Sequence, residues 1–95
     1  MEKEKILRQV RTDNVLNKKL IATLEEKAKK AKILDEYRSL EEIMQEFQNL
    51  IKFWRKNLEA LKKLTKNIEV KNEIDSVLEF IEETRKRFEL EYDIE

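Results

Sequence analysis

The chain reads as an all-α protein: an antiparallel bundle of three to four helices, or a long helical hairpin with coiled-coil-like packing. Three observations predict this. None of the 95 residues is Gly or Pro, the residues on which hairpins and tight β-turns depend. Apolar residues make up 40% of the chain and recur at intervals of three and four, the period of a helix face and not of a strand. The remainder is dominated by Lys and Glu, a composition typical of long helices and coiled coils. A length of 95 residues accommodates one domain, residues 1–95, with a core adequate to hold it.

In chain order, Ile6, Leu7 and Val10 make a short amphipathic helix over about 2–12, supported by Glu4 and Arg8 one turn apart. A second helix is expected over about 14–35, with Leu16, Leu20, Leu24, Ala28, Ala31 and Leu34 on one side. Were the two continuous, Asp13 would lie in the apolar stripe, and a buried unpaired carboxylate is costly. A break near Thr12 and Asp13 is therefore expected, the alternative being a straight helix whose Asp13 faces solvent or a basic partner; a corner follows at 35–39, or a bend in a continuous helix.

The organising helix is predicted over about 40–66. Leu40, Met44, Phe47, Ile51, Trp54, Leu58 and Leu61 follow one another at four and three, and Ile43 and Leu50 widen the stripe, which is broad enough for two neighbours. Ser39 and Glu42 form a capping-box pattern at its start, and Asn67 suits a left-handed position past its end. Thr23 and Glu26 repeat the capping-box pattern, but the apolar stripe runs through them, so that match reads as mid-helix. A last helix over about 70–92 carries the seam Val70, Ile74, Val77, Ile81, Thr84 and Phe88, extended by Leu78 and Tyr92. Short connections between long helices make neighbours antiparallel.

Charge is balanced overall, 21 cations against 21 anions, but not along the chain. Residues 1–34 carry ten cations and five anions, 35–51 one and five, 52–66 six and one, and 67–95 four and ten. Alternating blocks suit complementary antiparallel packing. No Cys and no His is present, which removes disulfides, thiolate metal sites and the commonest catalytic base. The carboxylates Glu41, Glu42, Glu82, Glu83, Glu89, Glu91, Asp93 and Glu95 fall in charged, solvated surroundings that do not raise a pKa for general-acid work. The chain is therefore expected to be non-catalytic, without cofactor or metal. No apolar run is long enough to cross a bilayer, and the N-terminal segment lacks the apolar core of a signal peptide, so the expected location is the cytoplasm and no membrane partner is expected.

Two surfaces remain as candidates. Phe53, Ala60 and Leu64 lie about 100° off the main stripe of the central helix, and Phe80 lies similarly off the seam of the last. A row of exposed apolar residues points to a protein interface, and hence to a homo-oligomer, a dimer in the simplest case, or to another protein partner. The alternative is nucleic-acid binding by the basic flank Lys52, Arg55, Lys56, Lys63 and Lys66, because phosphate contacts require only charge and spacing. Trp54 falls inside the apolar stripe and is assigned to the core rather than to base stacking. A second basic cluster, Lys27, Lys29, Lys30 and Lys32, is partly offset by Glu25 and Glu26.

Overall fold

The computed structural model describes residues 2–92, which form three α-helices: α1 (Glu2–Ile33), α2 (Tyr37–Leu64) and α3 (Ile68–Tyr92). Each helix packs on both others, which makes a closed bundle rather than an open hairpin, with extents of 50 × 20 × 15 Å. Ion pairs fix the directions. Arg11 with Glu73 and Glu25 with Arg87 share the same offset of 62 residues, so α1 and α3 run parallel, while Arg55 with Glu82 and Lys62 with Asp75 show α2 running against α3. The basic blocks at 1–34 and 52–66 thus both lie along the acidic last helix.

The stripes of α2 and α3 are as the spacing predicts. Leu40, Phe47, Ile51, Trp54 and Leu58 are buried from α2, flanked by half-buried Ile43, Met44, Leu50 and Leu61; Val70, Ile74, Val77, Ile81, Thr84, Phe88 and Tyr92 are buried from α3. The Phe47 and Phe88 rings stack at 3.9 Å, and Tyr92 tilts against Phe88 at 4.9 Å. Trp54 meets Phe80 edge-on.

The first helix departs from the sequence expectation twice. It is continuous through Thr12 and Asp13, so the expected short helix and break are absent. Its core side is also rotated: Ile6, Val10, Ile21, Leu24, Ala28 and Ala31 are buried, whereas Leu16, Leu20 and Leu34 are 54%, 52% and 64% exposed. Between Val10 and Ile21 the line facing the bundle runs through half-buried Asp13, Asn14 and Asn17. A carboxylate only half-buried keeps part of its hydration, so Asp13 is accommodated without breaking the helix.

The helix ends differ too. Glu36 donates its backbone N–H to the Ala31 carbonyl and Asp35 to that of Lys32, the paired bonds of a Schellman motif. Asp35 occupies its left-handed position at φ 54°. This closure leaves Glu36 as the N-cap of α2, so the helix starts at Tyr37, and Ser39 falls inside its first turn instead of capping it. At the other corner Thr65 is extended and ends α2. Asn67 does not take a left-handed C′ position: its Oδ1 accepts the N–H groups of Glu69 and Val70, which makes it the N-cap of α3. Thr23 is mid-helix as expected, donating its hydroxyl to the Lys19 carbonyl.

Asp35 offers a direct test of the first corner. A residue with a Cβ in the left-handed region carries a strain of about 1–2 kcal/mol, which Gly avoids. Asp35→Gly is therefore expected to stabilise the fold by about 1 kcal/mol in urea unfolding, after the added backbone entropy of Gly is offset; a loss of stability would mean that the Asp35 contact with the Tyr37 hydroxyl outweighs the strain.

Candidate interaction face

The side chains around α1 and α2 divide according to where α3 lies. On α1, Lys3 and Arg11 pair with Glu69 and Glu73, Glu25 pairs with Arg87, and Lys18 sits over the Phe80 ring at 4.5 Å. On α2, Arg55 and Lys62 reach Glu82 and Asp75. Those residues mark the sides of α1 and α2 turned toward α3. At about 100° per residue, Leu16 and Leu20 fall on the opposite flank of α1, and Phe53, Ala60 and Leu64 on the opposite flank of α2. Both flanks border the one line along which α1 and α2 meet away from α3.

The apolar residues on this face are exposed. Phe53 is 68% and Leu64 69% exposed, Ala60 is exposed, and Leu50 is half-buried between them and the core. Three of the four residues that the sequence assigns to an interface, Phe53, Ala60 and Leu64, therefore share one face. Phe80 does not join them: it is half-buried on α3, between Trp54 and Lys18. Leu16 and Leu20, which spacing alone assigns to the core, take its place. The signal that would have found them is the phase of Ile21, Leu24 and Ala28, which share one side of α1 that excludes both leucines.

The basic flank is also divided. Arg55 donates to Glu82 at 3.0 Å, whereas Lys52, Lys56, Lys63 and Lys66 are exposed, with no ion-pair partner among the described residues. In the second basic cluster Lys32 is engaged, its Nζ donating to the Glu91 carbonyl and lying near the Tyr92 ring. Trp54 is buried in the core and presents no surface for stacking.

The carboxylates show the electrostatics of ion pairing. Hydrogen bonding from Arg85 holds the Glu82 carboxyl below the usual carboxylate range, and Lys3 does the same for Glu69. A general acid requires the opposite shift. Burial, reinforced by the neighbouring Glu91 charge, raises the Tyr92 phenol; its hydroxyl, the Trp54 Nε1 and the Asn14 Oδ1 are buried without a hydrogen-bond partner among the described residues. Among the described residues no cluster of acidic side chains has the geometry of a metal site, and Asp93 and Glu95 lie outside them. The depressions at the α2–α3 corner, around Glu2, Lys3 and Leu64–Asn67, and beside Glu59, Lys62, Lys63, Lys71 and Leu78 are both open to solvent, the second with the more apolar lining. No helix among the described residues is long and apolar enough to cross a membrane.

Fold and face together define an all-α three-helix bundle with one apolar side left uncovered by its own third helix. No known protein family, curated protein or solved structure matches the chain.

Proposed function

We propose that this protein is a non-catalytic helical interaction module of the cytoplasm that self-associates, a homodimer in its simplest form, and serves as a structural oligomer, an adaptor or an inhibitor. The observation that carries this reading is the row Leu16, Leu20, Phe53 and Leu64, each more than half exposed and all on the side of α1 and α2 away from α3. Single exposed hydrophobes are ordinary; a set drawn from two helices onto one face is the pattern of a contact surface. The cysteine-free composition is compatible with a reducing compartment.

Light scattering on a sizing column, with absorbance at 260 and 280 nm, tests the proposal. The expected result is twice the 11.6 kDa chain mass with a protein spectrum. Phe53→Lys combined with Leu64→Lys should return the mass to that of one chain while leaving the helical circular dichroism intact, since neither side chain is buried. A single-chain mass for the unaltered protein would overturn self-association. Excess 260 nm absorbance would move the assignment to nucleic-acid binding by Lys52, Lys56, Lys63 and Lys66.

A further inference from the structure

We infer that the exposed face is built for a second copy of this chain in one arrangement: an antiparallel, twofold pairing of α2 with α2 of the copy, with the two α1 helices meeting beside it. This rests on the self-association proposed above and specifies its geometry. The outward side of α2 carries a heptad seam of its own, displaced around the helix from the core stripe. Leu50, Asn57 and Leu64 form one line, and Glu46, Phe53 and Ala60 the other, with the alternating four and three spacing of facing coiled-coil positions.

The line bordering this seam on its solvent side reads Glu42, Asn49, Lys56 and Lys63, one residue per heptad. It is negative at one end and positive at the other. A parallel copy would place Glu42 level with Glu42 and Lys63 level with Lys63. An antiparallel copy that stacks Leu50 on the copy's Phe53 brings Glu42 to the copy's Lys63 and Asn49 to the copy's Lys56 in the same register. The midpoints of those two polar pairs coincide, and they lie within about one residue, roughly 1.5 Å, of the midpoint of the Leu50 and Phe53 layer. Charge complementarity of this kind fixes orientation and register more than affinity.

The first helix meets the same axis independently. The tight corner at 34–36 sets Ile33 level with Tyr37, and counting back along antiparallel helices puts Lys18 level with Lys52. Leu16 and Leu20 stand two residues to either side of Lys18, so a twofold axis at that height sets Leu16 of each chain against Leu20 of the other. Three features, the Leu50 and Phe53 layer, the charged line and the paired leucines, thus select one axis. Lys19 approaches its own counterpart near it, a like-charged contact that salt screens.

Because the native chain has no cysteine, introduced thiols report on register without interference. Glu42→Cys alone and Lys63→Cys alone should give no covalent dimer with a short thiol–thiol cross-linker, since each residue and its counterpart lie roughly 30 Å apart along the axis in this arrangement. An equimolar mixture, after subunit exchange, should form a 42–63 linked pair. Glu42→Lys should raise the dimer Kd about tenfold through its two symmetry-related contacts, and adding Lys63→Glu should restore it. A dimeric mass with 42–42 or 63–63 products, or with no 42–63 product, overturns the register and leaves self-association standing. A single-chain mass for the unaltered protein with no cross-linked product overturns both.

Discussion

Replacing Phe88 with Ala is expected to cost about 3–5 kcal/mol, the range for truncating a fully buried aromatic side chain. Phe88 is 1% exposed, and it sits between the parallel Phe47 ring at 3.9 Å and the Tyr92 ring at 4.9 Å. Removing it empties the space where α2 and α3 meet and breaks two aromatic contacts, each of which contributes about 0.5–1.5 kcal/mol beyond area burial. A domain of this size has a stability of about 5–15 kcal/mol in total, so the variant should be close to unfolding at physiological temperature. At about 4–8 °C per kcal/mol, thermal unfolding should fall by more than about 12 °C. Phe88→Leu, which keeps much of the volume, should lose far less. Equal losses for the two variants would locate the energy in the aromatic stack rather than in the filled space.

Ala28→Leu should destabilise the bundle by about 1–3 kcal/mol, although leucine and alanine have nearly equal helix propensity. Ala28 is 0% and Ala31 3% exposed. These small side chains allow α1 to approach its neighbours closely, and an isobutyl group at position 28 has no room without pushing the helices apart. Ala22→Leu provides the control, because Ala22 is exposed on the same helix and should be neutral within about 0.5 kcal/mol. Urea unfolding of the two variants separates packing from propensity; a neutral Ala28→Leu would mean that the α1 interface holds unfilled space.

The contrast between helices shows what a sequence pattern can carry. In α2 and α3 the core residues form one unbroken stripe each, so phase, burial and even the interior position of Thr84 and Trp54 follow from spacing. In α1 the apolar residues serve two sides. Leu16 and Leu20 are bulky and regularly spaced, which draws the reading to their phase, while the true core line continues through Asn14 and Asn17, which pattern reading scores as polar. Asp13 borders the core in either phase, and the pattern does not show that it stays half-buried and hydrated. The corners are ambiguous in sequence for a related reason: Ser39 and Asn67 are both competent caps, and only the Schellman closure at Asp35 and the reach of Asn67 Oδ1 to Glu69 and Val70 decide where each helix begins. The candidate face is legible on α2, where Phe53, Ala60 and Leu64 stand off the stripe, and hidden on α1, where the spacing of Leu16 and Leu20 imitates a core stripe.

The polar middle of α1 gives that helix the mechanics of a beam resting on two piers. From residue 11 to residue 20 no side chain is buried, a span of about 15 Å between anchorage at Ile6 and Val10 and anchorage from Ile21 onward. Amides at mid-span should therefore open more readily than those toward the piers, the reverse of ordinary fraying from the ends. Leu16 and Leu20 lie on that same span. Covering them by association would load the beam where it is softest, so hydrogen exchange at 11–20 should slow as protein concentration rises, and the stiffness of α1 would become a property of the assembly rather than of the single chain.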